Sequence, residues 1–409
     1  MHSTDFVPDR MDAVTRFRLV RAESLRRAQP LSAEDQCVQS MPDASPTKWH
    51  LAHTSWFFEV VVLQAFAHNY RVFHPGFAYL FNSYYESLGQ RQPRPQRGLL
   101  TRPSQTEVLA YRAHVDAETL AFIQEATPDV WANAAPLVAL GCHHEEQHQE
   151  LMLTDALHLL SCNPLLPAYS PGSQKRAVDD APQPVGWVGL PAGTISIGAD
   201  GAGFCFDNET PRHNRLLEAF EIADRLVTCG EYADFIADGG YSNASLWLSD
   251  GWAQVQAQGW QAPAYWLAPN DPRVPSSEWQ TFGLHGVQPL DRAAAVSHIS
   301  FFEAAAYAQW AGARLPTEFE WEAAFDAPGV AQMVGQVWQW TRSSYDPYPK
   351  FQPLSGAVSE YNGKFMVGQM VLRGASAATP AGHSRSTYRN FFPPATRWQF
   401  SGLRLARDV

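Results

Sequence analysis

Three of the 14 histidines in this 409-residue chain stand at spacings that suit a metal ion. His144 and His148 are four residues apart, so on a helix they share one face and can bind one ion together. His53 lies far upstream in a second helical stretch, three residues after His50. If the two helices face each other, three neutral imidazoles converge and leave coordination positions open, as a catalytic metal requires. Glu150 is the tempting carboxylate, but two residues past His148 is about 200° around a helix. It fits better as a supporting partner than as a ligand. His50, His143 and His158 read as ordinary polar helix residues. Nitrogen spacing alone leaves Fe, Zn, Ni and Mn open.

The first 165 residues must therefore supply helices. Apolar positions recur at helical spacing from Pro8 to Arg27. A second helix is expected to open at Ser45-Pro46, a cap residue followed by proline in the first turn, and to run through WHLAHTSWFFEVVVLQAF. A third opens at Ser104, where Ser104-Gln105-Thr106-Glu107 forms a capping box. The fourth, from Ala135 to Leu160, carries both His144 and His148. Four helices with one long connection, residues 67–103, suggest an up-down bundle. That connection is rich in Phe, Tyr, Pro and Arg, and long loops of this kind are often functional.

Residues 166–186 read as a linker of Pro, Ser, Gly and charge. From 187 to 409 the pattern changes. Short segments such as GWVGL, GTISIG, VLRGAS and FSGLRLAR alternate with Gly and Pro turns, interrupted by helical stretches near Cys229–Asp238 and Phe302–Gly312. This half is an α+β domain.

The composition bounds the function. A net charge of −11 argues against nucleic-acid binding, which needs a basic surface. No polybasic run, no signal-peptide start and no run of about 18 apolar residues points to a membrane. The five cysteines are widely spaced, with no CxxC pair. A reduced, cytoplasmic protein is expected.

The motifs WHLAHTSWFFE, LFNSYYESLG, PRPQRGLL and HHEEQHQEL in the first half resemble the ergothioneine-biosynthesis sulfoxide synthases (EgtB type). So do FDNETPRH, DGGYSNASLWLSDGW, GARLPTEFEWEAA, EYNGKF and STYRNFFPPATRWQFSGLRLAR in the second. The resemblance covers nearly the whole chain. It implies a DinB-like four-helix bundle followed by a formylglycine-generating-enzyme-like domain with a C-type-lectin-like core. It implies Fe(II) on His53, His144 and His148, with O2 as co-substrate, and hercynine (histidine betaine) joined at imidazole C2 to a sulfur donor, cysteine or γ-glutamylcysteine. Gln147 matches a residue that contacts the imidazole substrate, and Tyr84 and Tyr85 an active-site tyrosine pair able to donate a proton. Asn390, Phe391 and Phe392 match a substrate-facing loop. Arg91, Arg94 or Arg97 is a candidate for a substrate carboxylate.

Other readings are distinguishable. A DinB-like thiol transferase would use Zn or Ni without O2 and leave the second domain unexplained. Formylglycine generation needs a cysteine pair in the C-terminal core, and no cysteine follows Cys229. A lectin-like binding module does not account for three clustered histidines. Within the family, Gln336 and Gln339 stand where relatives are acidic or differently amidic. A pocket stripped of carboxylates would suit the selenosugar donor of the related selenoneine synthases (SenA type).

Overall fold

The computed structural model describes residues 9–83, 85, 87, 89–172, 184–353 and 362–409. The chain divides into two compact units. One is Met1–Asn163 with Gly201–Asp207 and Gln352–Lys364; the other is Pro164–Asp200, Asn208–Phe351 and Phe365–Val409. The sequence offers one boundary, at 166–186, of which 173–183 lie outside the described residues. The two later segments that join the helical unit have no local signature. What holds one of them is tertiary: Phe204 stacks face to face on His143 at 3.7 Å.

In the helical unit, α1 (Arg10–Ala28) begins where the Asp9 carboxylate accepts from the Met11 N–H at 2.8 Å. It packs on α6, described below, through a stripe that includes Val14, Phe17 and Val20. Helix α2 (Thr47–Phe57) is buried at every position, as expected of a helix sealed within a core. Its cap differs from the expectation at Ser45. Pro46 occupies the N-cap position, and no side chain bonds the first turn. Ser45 is drawn into tertiary bonds instead: its N–H donates to Asp155 at 2.8 Å, and its hydroxyl accepts from Arg97 at 2.9 Å.

Helix α2 continues through a π-helical turn, Phe58–Leu63, into the short α3 (Gln64–Phe66). Such turns are rare and are often found at functional sites. Glu59, in this turn, accepts hydroxyl bonds from Tyr70 and Tyr111, both at 2.6 Å, and the Phe73 N–H at 3.1 Å. One carboxylate thus ties the start of the 67–103 connection to the bundle. That connection is ordered further by α4 (Phe77–Phe81) and by a 3-10 turn over Arg94–Leu99.

Helix α5 (Gln105–Glu125) opens on the expected capping box, with Ser104 accepting from the Glu107 N–H and Glu107 accepting in return at 2.7 Å. Helix α6 (Pro128–Ser161) starts a full two turns before the expected Ala135, with Pro128 in its first turn. Pro136 lies inside the helix, one residue past the expected start, and the helix runs through it. One missing N–H is tolerated there because side chains on either side are buried, Trp131 and Ala135 before it and Val138 after it.

Two features fix α6 against its neighbours. Gly141 has no side chain where a Cβ would lie 2.6 Å from the Phe58 ring, so α6 approaches the α2 stem closely. Glu145 carries a charge into the core and meets Arg21 at 2.8 Å, Ser24 at 2.5 Å and Arg112. Burial would raise the Glu145 carboxyl, but Arg112 and Arg21 outweigh it and hold it below the usual carboxylate range.

The second unit is sheet-rich. Strand β4 (Phe220–Ala223) lies between β1 (Trp187–Leu190) and β12 (Ala406–Asp408), antiparallel to both. A second sheet runs β10 (Asn390–Phe392), β9 (Met370–Gly374), β8 (Trp338–Ser344), β11 (Ser401–Gly402). Hairpin β2 (Gly193–Ile197) with β3 (His213–Leu217), and the set β5 (Trp266–Leu267), β6 (Gln280–Gly283), β7 (Gly286–Pro289), complete it. Helices α7 (Cys229–Ala237), α9 (Phe301–Trp310) and α10 (Glu318–Ala323) each open on a capping box, while α8 (Ser249–Gln258) does not. Trp321, Trp338 and Trp340 are fully buried in this unit's core.

Glu145→Gln should cost the bundle about 3–5 kcal/mol, since buried Arg112 loses its ion-pair partner and Arg21 keeps only Asp116. Chemical denaturation followed by helical circular dichroism measures it. A loss below about 1 kcal/mol would show that the network is dispensable.

Candidate metal centre

Helix geometry first brings the imidazoles together. His144 and His148 project from one face of α6, and His53 from α2, which packs on α6. One ring nitrogen from each lies within 4.8 Å of those of the other two. The His53 Nε2 and His144 Nε2 atoms are 3.2 Å apart. Two nitrogens each about 2.1 Å from one ion, at right angles, would lie about 3 Å apart.

Electrostatics set the protonation. Burial lowers His144 to about 3 and drives His53 and His148 well below the usual imidazole range; the neighbouring histidines push His53 and His148 the same way. All three are neutral at neutral pH, the form that ligates a metal. The His53 tautomer is also fixed. Its Nδ1–H donates to the Phe81 carbonyl at 2.5 Å, which leaves the Nε2 lone pair directed toward His144. A lone pair at 3.2 Å from another imidazole nitrogen needs a proton or a cation between them. The donor set fits a divalent ion; three nitrogens without a thiolate suit Fe, Zn, Ni or Cu alike.

Aromatic rings hold the three histidines in place. His53 stacks on Trp49 at 4.6 Å and on Trp56 at 5.4 Å, both nearly parallel. Phe57 lies 4.8 Å from the His144 ring. Tyr85 is buried, 5.5 Å from Trp56 and 6.3 Å from Phe57, the rings that touch His53 and His144. Asn82 bends this segment back by donating to the carbonyls of Tyr85 and Gly89, both at 3.1 Å. Tyr84 lies outside the described residues. Gln147 sits on α6 between the two ligand candidates, partly covered.

Of the three arginines proposed from sequence, Arg97 is the one beside the histidines. Its guanidinium lies 3.4 Å above Trp49, donates to Ser45 and Ser83, and its charge depresses His53 and His148 further. Arg94 bonds the Asp43 carbonyl instead, and Arg91 is half-buried on the same connection.

The sequence reading took His50 for an ordinary polar residue and did not single out Asp155. His50 lies 2.8 Å from His148, nitrogen to nitrogen, and its other nitrogen lies 3.0 Å from Asp155. The signal was present: Asp155 is seven residues after His148, two turns along the same face.

Similarity follows the same division of the chain. Residues 16–152 match the DinB superfamily, and residues 174–328 and 325–409 match the sulfatase-modifying factor enzyme 1-like domain. A hercynine oxygenase of Mycolicibacterium smegmatis is 32% identical over 91% of this chain and 93% of its own length. The chain belongs to the hercynine oxygenase family. The Mycobacterium tuberculosis member is 32% identical over 95% of this chain and 97% of its own. The formylglycine-generating enzyme of Streptomyces coelicolor is 34% identical over only 34% of this chain.

The second unit places the remaining candidates of this family resemblance. Asn390, Phe391 and Phe392 form β10, and Phe391 stacks on Tyr345 at 4.0 Å. The preceding Arg389 is buried and grips Glu318 through two bonds, of 2.8 and 2.9 Å, which anchors the strand. Gln339 corrects the argument for a sugar pocket. Its Oε1 accepts from Trp321 at 2.8 Å and Arg404 at 3.0 Å, and its amide donates to Met333 at 2.8 Å. It is fully buried scaffold, with no capacity left for a donor substrate. Gln336 is exposed, where its carbonyl accepts from Ala377.

His53→Ala and His144→Ala should each abolish stoichiometric binding of Fe(II) or Co(II), read by anaerobic titration, and leave the helical signal intact. Full occupancy in either would remove that residue from the ligand set.

Proposed function

We propose that this chain is a non-haem Fe(II), O2-dependent oxidoreductase that joins the sulfur of cysteine or γ-glutamylcysteine to imidazole C2 of hercynine. One observation carries the reading. Three neutral imidazoles converge inside the bundle of a chain whose relatives of matching length are hercynine oxygenases. The reaction balances with one O2: a C–H and an S–H are lost, a C–S bond and a sulfoxide oxygen are gained, and one water forms.

Iron, when bound, would supply the one-electron chemistry that lets O2 react with closed-shell substrates. His53, His144 and His148 would hold it without adding charge, so the site keeps its attraction for a thiolate. Arg97 gives a fixed positive charge next to the histidines. Hercynine and cysteine both carry a carboxylate for such a charge to hold. Gln147 would orient the imidazole of hercynine, and Asn390, Phe391 and Phe392 are the further substrate-binding candidates of the family resemblance. The Tyr85 hydroxyl, together with that of Tyr84, is the proton donor in this reading. A delivered proton would favour coupling over simple oxidation of the donor sulfur.

Loaded with Fe(II), the protein should consume O2 only when hercynine and a thiol are both present, and release a sulfoxide detectable by mass spectrometry. Hercynine-independent thiol conjugation with Zn(II) and no O2 uptake would overturn this reading. Supplying cysteine, γ-glutamylcysteine and a selenosugar in competition identifies the donor, and a preference for the selenosugar would reassign it. In Tyr85→Phe, metal binding should be unchanged while sulfinic acid rises relative to coupled product. An unchanged ratio would make Tyr85 a packing residue.

A further inference from the structure

The buried groups behind His148 form a chain of defined polarity. The Asp155 carboxylate accepts from the Ser45 N–H at 2.8 Å and lies 3.0 Å from His50 Nε2 through the same oxygen. A carboxylate can only accept there, so His50 Nε2 carries a proton. The other His50 nitrogen, Nδ1, lies 2.8 Å from His148 Nδ1. A bond of that length needs one proton between the two nitrogens, and a His148 that ligates through Nε2 supplies it from Nδ1. His148 is left with a bare Nε2 on the side of His53 and His144, whose rings are centred 4.7 and 4.6 Å away.

We propose that Asp155 and His50 act as positioning residues that lock His148 into the Nδ1–H form and aim its Nε2 lone pair at the metal. The proposal rests on the reading of the three histidines as a metal site. It gives His148 the same orientation that the Phe81 carbonyl gives His53. An imidazole rather than a backbone carbonyl is interposed because α2 and α6 face each other here, and a carboxylate on α6 reaches its own helix's histidine through a residue of α2. The relay therefore also staples the two helices. Partners of this kind raise ligand basicity and hold ring orientation, and their loss typically weakens metal binding by about 10–100-fold.

The test is a Co(II) titration of the full-length, metal-free protein, reading dissociation constant and visible spectrum. His50→Phe keeps a ring but neither bond, and Asp155→Leu keeps the volume but no acceptor. Each should weaken Co(II) by about 10–100-fold and alter the spectrum. His50→Gln can accept from His148 and donate to Asp155, so it should recover most of the loss seen in His50→Phe, which a packing role would not predict. The relay is overturned if His50→Phe and Asp155→Leu bind within twofold of the parent with unchanged spectra, or if His50→Gln binds no better than His50→Phe. Circular dichroism checks folding; if His50→Phe does not fold, Asp155→Leu decides by the same twofold criterion. A parent that binds no Co(II) would sink the metal site and the relay together. A parent that binds, with variants that bind equally, sinks the relay alone.

Discussion

The rotation of α6 about its own axis is the constraint on which the helical unit depends. His144 and Glu145 are adjacent, so their side chains leave the helix about 100° apart. One must reach the other two histidines while its neighbour reaches Arg21 and Arg112. Only a narrow range of rotation satisfies both. The ion network is costly to desolvate, and it tolerates little displacement once formed. Its strictness is what aims the histidines. Gly141, one turn before Glu145, sets the second coordinate, the distance between α6 and the α2 stem.

Much of this was readable in sequence, and the misses have a common cause. The four-residue spacing of His144 and His148 and the capping box at Ser104 depend on residues close in the chain, where helix geometry is the only rule needed. Ser45, the start of α6 and His50 were misjudged because tertiary contacts decide them. Ser45 looks like a cap until Arg97 and Asp155 claim its polar groups. Helix α6 looks as if it starts at Ala135 until buried side chains on the two turns before it extend it back to Pro128. His50 looks like an ordinary polar residue because its partners stand about a hundred residues away. The return of Gly201–Asp207 to the helical unit is invisible for the same reason.

In the second unit, a change of residue type suggested a change of substrate, and the hydrogen bonds do not support that step. An amide at Gln339 can serve two donors and two acceptors inside a core, which a carboxylate cannot do. Trp321, Arg404 and the Met333 carbonyl use that double character. The residue type there answers to the scaffold. Arg389 has a similar place: buried against Glu318, it makes the start of β10 rigid and leaves Phe391 on Tyr345.

The stacking of His53 on two indoles has a consequence for the entropy of metal capture. In small zinc-dependent domains the ligands are ordered only when the ion arrives, and binding energy is spent on folding the chain. Here His53 is packed against Trp49 and Trp56, with its Nδ1 bonded to Phe81, before any ion is considered. The rotamer freedom that a ligand would otherwise lose on binding is already gone when the bundle folds. If the three histidines hold an ion, folding and occupancy are thereby separated: less of the binding energy would be spent on ordering His53, and more would go into holding the metal.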